Sequence, residues 1–260
     1  GNQTIAGLTY GDANFTLSAS SPNAGGITYT SSDESVLEIN GTLKTQHTLE
    51  NGVVWYWNFD DDQTGASNPV NAKIGGLNGT KGSGVTVVTG KFGKALNFDG
   101  SSNGASYVDF GPNSRSGFDG VFSVSLWLKR TNNSGTMIIL RNKNTGTTSP
   151  GHEFFLSNNN NTRFSARGYS QTRWVNVTAG WSNLNWVHVV NTFNSQAAES
   201  RQRWKCYADG KFINEGDIPK IEDGNRNLFM GKYPWGAGRF KVLIDDLRYY
   251  DRELSGADVN

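Results

Sequence analysis

The sequence predicts an all-β protein, a sandwich of short antiparallel strands, on three observations. Apolar and polar residues alternate with period two in many short runs. Turn-forming residues are abundant, with 32 Gly and 29 Asn in 260 residues. Helix-forming Glu is scarce, at eight. Period-two runs separated by Gly and Asn are the signature of strands joined by tight turns, and strands at this spacing close into a sandwich or barrel.

The elements follow in order. Phe15–Ala19 and Ile27–Thr30 each carry one apolar face. A boundary falls at Leu49 to Gly52, where Ser/Thr-rich strands give way to the aromatic run Val53-Val54-Trp55-Tyr56-Trp57-Asn58-Phe59, dividing the chain into residues 1–48 and 49–260. Phe122 to Leu128 is dense in β-formers and predicts a central strand. Trp186 to Val190 and Val242 to Leu247 read the same way. Asp209-Gly210, between two strand runs, predicts a hairpin. A single helical turn is expected at the end, where Ser255 caps Gly256 to Val259. Among the tryptophans, Trp55, Trp57, Trp127, Trp186 and Trp204 are assigned to the core.

Composition excludes several functions. Lys plus Arg total 24 against 23 Asp plus Glu, a net charge of +1, so the basic excess of a nucleic-acid binder is missing. No run approaches the roughly 18 apolar residues of a membrane-spanning helix, so no membrane insertion is expected. One cysteine, Cys206, cannot form an internal disulfide. The chain starts at Gly1 without the basic and apolar regions of a signal peptide and is expected to be trimmed or part of something longer.

The ordered motifs from Trp55 onward resemble a known family. They are Trp55-Tyr56-Trp57-Asn58-Phe59-Asp60, Leu77-Asn78-Gly79-Thr80, Gly90-Lys91-Phe92-Gly93-Lys94-Ala95-Leu96-Asn97-Phe98-Asp99-Gly100 and Tyr107-Val108-Asp109-Phe110. Phe122 to Lys129, Trp186 to Val190, Tyr207 to Lys211 and Ile244 to Ser255 complete the set. In this order they resemble laminin-G-like modules of the concanavalin A-like sandwich superfamily. The resemblance implies a jelly roll of two packed antiparallel sheets. Residues 1–48 resemble the start of a bacterial immunoglobulin-like repeat, carried by Leu8 to Asp12, Phe15 to Ala19 and Ile27 to Asp33. A half sandwich leaves an open strand edge, so docking onto a copy of the chain or a larger structural protein is expected there.

Site candidates are weighed against structural roles. Some relatives of this sandwich are glycoside hydrolases, which need two carboxylates across the scissile bond. The glucanase pattern Glu-x-Asp-x-x-Glu has its nearest counterpart in Glu215-Gly216-Asp217-Ile218-Pro219-Lys220, which ends in Lys and fails, so no catalytic residue is assigned. Gly100-Ser101-Ser102-Asn103-Gly104 matches a nucleophile elbow in letters, but a strand follows where a helix is required, so it reads as a hairpin loop. His47, His152 and His188 lack zinc spacing.

The resemblance also implies one structural calcium ion, with Asp60, Asp245 or Asp246 as ligands and Asp99 as a further candidate; turn capping is the alternative role. Sugar binding pairs an aromatic face with planar hydrogen-bonding groups. Two stretches, read as loops, supply both: Arg167, Tyr169, Gln171, Arg173 and Trp174 in the first, Tyr233, Trp235 and Arg239 in the second. The expected function is a non-catalytic adhesion module binding polysaccharide or cell-surface glycan, in a larger bacterial or virion surface protein. The alternatives are a structural assembly subunit and a hydrolase with an unrecognised site.

Overall fold

A computed structural model describes residues 38–40, 42–44, 51–62, 67–100, 105–112, 120–131, 137–143, 151–158, 162–168, 171–176, 185–217, 227–231 and 241–259. The chain divides into two compact units, Gly1–Asn51 and Gly52–Asn260. In the first, β1 (Glu38–Asn40) pairs antiparallel with β2 (Thr42–Lys44). The immunoglobulin-like motifs, and with them the expected docking edge, lie outside the described residues.

The second unit is a sandwich of two antiparallel sheets. The first sheet runs β13 (Gln171–Asn176), β12 (Thr162–Gly168), β11 (Gly151–Asn158), β10 (Met137–Lys143), β17 (Asn227–Met230), β8 (Val108–Pro112), β5 (Gly79–Lys81) and β4 (Pro69–Val70). The second runs β16 (Lys211–Gly216), β15 (Trp204–Ala208), β14 (Trp186–Asn194), β9 (Val121–Arg130), β18 (Val242–Tyr250), β7 (Lys94–Phe98) and β6 (Val85–Thr89), with β3 (Val53–Trp57) also on β18. The expected jelly-roll sandwich is therefore what the chain forms. The Asp209-Gly210 hairpin is present too, joining β15 to β16 with both residues at positive φ, 46° and 74°. That conformation matches the right-handed twist of the flanking strands, which is why Asp-Gly is favoured there.

Strand phase sorts side chains between two faces. On β9, Phe122, Val124, Leu126 and Leu128 enter the core between the sheets; on β18, Val242, Ile244, Leu247 and Tyr249 do. Trp55, Trp57 and Trp204 join them, as expected. Trp127 and Trp186 do not. They are half-buried and alternate with core positions, so they stand on the outer face of the second sheet.

A second, smaller cluster covers part of that outer face. Leu254 and Val259, from the segment after β18, pack on Val190, Tyr207 and Tyr250. The Ser123 hydroxyl fixes this strap, donating to the Arg252 carbonyl at 2.8 Å and accepting from Leu254 N at 2.9 Å. The expected helical turn is an ordinary turn over residues 256–258. Ser255 and Asp258 bond reciprocally, and the Arg252 guanidinium grips Asp258 with two bonds of 3.0 Å. A side-chain staple of this kind holds four residues without a helical ladder.

Candidate functional site

The site begins at a bulge. Val242–Ile244 of β18 pair with β7, while Leu247–Tyr250 pair with β3, so two strands share one side of β18. At the changeover the register breaks and Asp246 takes φ 53°. The four-residue turn Gly90–Gly93 between β6 and β7 closes with a Gly90 N to Gly93 O bond of 2.9 Å and is tied to both flanking strands. Asp245, in β18, accepts on Oδ2 from Lys91 N at 2.8 Å and Phe92 N at 2.9 Å. Asp60, just beyond β3, accepts from Lys94 N at 2.8 Å and from the Asn58 amide at 2.7 Å. Both glycines are required by close approach. A Cβ on Gly93 would lie 2.0 Å from Asp60 Oδ1, and one on Gly90 2.5 Å from Asp245 Oδ2. Three motifs far apart in sequence thus meet at one junction.

The junction aims the turn at an aromatic surface. Phe92, 43% exposed, packs edge-on against Trp127 with centroids 5.7 Å apart. Lys91 Nζ lies 4.7 Å above the Trp127 ring and 5.8 Å from that of Phe92. His188, opposite Trp127 on β14, stacks on it at 5.1 Å. Burial first, and the Arg248 charge second, push the His188 imidazole down to about 4, with Asp209 opposing. His188 is therefore neutral near pH 7. Trp186 and Lys129 face each other two register rows along, on the same face. The strap covers the Val190 and Tyr207 end of this sheet, and the Trp127 end carries the aromatic group.

Asp60, Asp245 and Asp246 place their carboxylates on protein partners. Asp60 and Asp245 hold the turn, and Asp246 pairs with Arg248 at 2.6 Å in a buried bridge. Asp99 follows β7, its N–H donating to the Gly84 carbonyl at 3.1 Å. Among the described residues no group of three or more His, Cys, Asp or Glu is placed to hold a metal ion. Backbone N–H groups aimed at Asp60 and Asp245 fit anchoring of a turn.

The expected sugar loops fare differently. Arg167 lies in β12, and Gln171, Arg173 and Trp174 lie in β13, paired with Gly168, Ala166 and Ser165. This stretch is a hairpin rather than a loop, with only Tyr169 and Ser170 between its strands. Tyr169, Tyr233, Trp235 and Arg239 lie outside the described residues, as do Ser101 to Gly104. Sequence reading missed the Trp127 surface because residue type was allowed to outweigh strand phase. The signal was there, since Ser123, Ser125, Trp127 and Lys129 alternate with the core residues of β9.

A sandwich of two antiparallel sheets with this strand order defines a lectin-type fold. The chain belongs to the concanavalin A-like lectin/glucanases superfamily, whose laminin G model matches residues 101–260. A comparison with curated protein sequences finds no match. Among solved structures, the binding domain of Paraclostridial Mosquitocidal Protein 1 is similar at 16% identity and TM-score 0.62, over 82% of this chain and 52% of that one. Domain 4 of AbnA, a GH43 extracellular arabinanase from Geobacillus stearothermophilus, in complex with arabinotriose, is similar at 23% identity and TM-score 0.57, over 80% of this chain and 96% of that one. The ligand binding domain of Botulinum neurotoxin serotype D, in complex with N-acetylneuraminic acid, is similar at 16% identity and TM-score 0.59, over 80% and 50%. The chain thus spans about half the length of the two toxin domains. At these identities the likeness is one of fold.

Proposed function

We propose that this chain is a non-catalytic carbohydrate-binding module of a larger extracellular protein, displayed at a bacterial or virion surface. The observation that carries the reading is the aromatic surface of Phe92, Trp127 and His188, held by a doubly anchored turn on a lectin-type sandwich. Aromatic rings offer a flat apolar surface to the C–H face of a sugar, and a pre-set surface loses little entropy on binding. The sugar ligands of the arabinanase domain and the neurotoxin domain support it as analogies of fold. The stretches Arg167 to Trp174 and Tyr233 to Arg239 belong to the same proposal as two further glycan-contacting stretches. Among the described residues no helix is long and apolar enough to cross a membrane.

A polysaccharide panel in affinity gels, with product analysis of each incubation, tests this. Retarded migration on at least one polymer without sugar release is expected. Retention on none would refute binding, and sugar release that follows the protein through purification would refute the non-catalytic reading.

The calcium expectation is tested separately. We propose that Asp60 and Asp245 serve the turn, so melting temperatures in millimolar calcium and in EDTA are expected to agree within about 2 °C, a difference under about 1 kcal/mol. A calcium-dependent rise that Asp60→Asn or Asp245→Asn abolishes would restore the ion at this junction.

A further inference from the structure

We propose that the Trp127 surface selects anionic sugars over neutral ones, an inference that rests on the carbohydrate-binding reading above. Lys91 carries the argument. Its ammonium already lies over the Trp127 ring, where a stacked sugar would sit. A neutral pyranose must displace that cation and lose its ring contact, a penalty of about two- to fivefold in affinity at an exposed site. An anionic sugar instead takes the displaced ammonium as its counter-charge. Lys129 adds a second cation, two residues along the same strand and so on the same face as Trp127.

The acidic groups around this surface already accept hydrogen bonds or pair with a cation. Asp245 is buried and receives the amides of Lys91 and Phe92. Asp246 is paired with Arg248, and Asp60 takes Lys94 N and the Asn58 amide. Asp209, at the β15–β16 turn, accepts from His188 N at 2.9 Å. His188 is neutral, the Arg248 and Asp209 charges act on it in opposite senses, and the two lysines add positive charge. The chain as a whole carries only +1, so a general affinity for polyanions is not expected. The selectivity is local to this surface.

The test uses the full chain in titrations against polygalacturonate, its fully methyl-esterified form, a sulfated polysaccharide and neutral dextran and arabinan. Lysine is a point charge and does not sort carboxylate from sulfate, so either polyanion bound at Trp127 supports the inference, and the two arms say which anion it takes. Polygalacturonate or the sulfated polymer is expected to bind at least about tenfold more tightly than the neutral polymers. Lys91→Gln and Lys129→Gln are each expected to weaken binding by about 1.5- to fivefold, the range of a solvent-exposed charge contact. The exposed Lys211→Gln, on the β15–β16 hairpin, should leave binding unchanged. Raising ionic strength from about 0.1 to about 1 M shortens the screening length from about 10 to about 3 Å and should remove most of the preference.

Equal binding of the ester and the acid, still lost in Trp127→Ala, would overturn anionic selectivity and leave the carbohydrate-binding reading intact. Polyanion binding indifferent to Trp127→Ala and Lys91→Gln would overturn the inference as non-specific charge attraction. Failure to bind any polymer would remove both readings together.

Discussion

Trp57→Ala is expected to cost about 3–5 kcal/mol, the range for removing a fully buried large aromatic. Trp57 is wholly buried at the end of β3, and its ring lies 4.7 Å from Phe110, 6.2 Å from Trp55 and 6.4 Å from Tyr249. It therefore bridges strands of both sheets. Its indole N–H also donates to the Leu77 carbonyl at 2.8 Å, a partner that alanine would leave unpaired. Urea denaturation followed by circular dichroism measures the loss. Trp127→Ala is the internal comparison, because a half-buried residue on the outer face should cost under about 2 kcal/mol. Equal costs for the two would contradict the assignment of core and outer face.

Asp245→Asn is expected to stabilise the protein above neutral pH by on the order of 2–4 kcal/mol, with the gain gone near pH 4. Burial first, opposed by the Phe92 amide and reinforced by the Asp246 charge, pushes the Asp245 carboxyl up to about 7. A raised carboxyl binds its proton more tightly in the folded chain than in the unfolded one. Its contribution is therefore most favourable below the unfolded value near 4 and is lost as pH climbs through about 7. Asparagine keeps an acceptor for Lys91 N and Phe92 N and removes the buried charge. The Oδ1 position is buried without a partner, so an amide NH2 placed there offsets part of the gain.

His188 works in the opposite sense. Its folded value near 4 lies below the unfolded one, so its contribution is present above about pH 6.5 and lost as pH falls toward 4. The two groups nearly balance in the wild type between pH 4 and 7. Removing Asp245 should expose the histidine slope, and chemical denaturation across that range reads it directly. A pH-independent difference between Asp245→Asn and wild type would contradict the buried-carboxyl account.

The strands were legible because period-two alternation is local. The runs Phe122–Leu128, Trp186–Val190 and Val242–Leu247 all lie within strands of one sheet. The Asp-Gly hairpin was legible for the same reason, since two residues suffice to set its twist. The junction was not. Asp245 meets Lys91 across 154 residues and Asp60 meets Lys94 across 34, and no window along the chain contains either pair. Ordered motifs marked these residues as important, and the fold gives the reason, by placing the Asp245 and Asp60 carboxylates on the turn between β6 and β7. Trp127 marks the opposite failure. Its phase on β9 placed it outside, but its size argued for the core, and phase prevailed because side chains alternate whatever their hydrophobicity. The strap was illegible because Leu254 and Val259 are isolated apolar residues in a polar tail, covering a sheet face that sequence spacing does not reveal.

The most direct measurement is a titration of wild type, Phe92→Ala and Trp127→Ala with whichever polysaccharide the panel selects, each variant first checked for an unchanged fold by near-ultraviolet circular dichroism. A folded Trp127→Ala variant that binds at least about tenfold more weakly, with Phe92→Ala between it and wild type, is the predicted result, since truncating an aromatic hot spot costs about 2 kcal/mol or more. Undiminished binding by both variants would contradict the account and move the sugar to another surface of the sandwich.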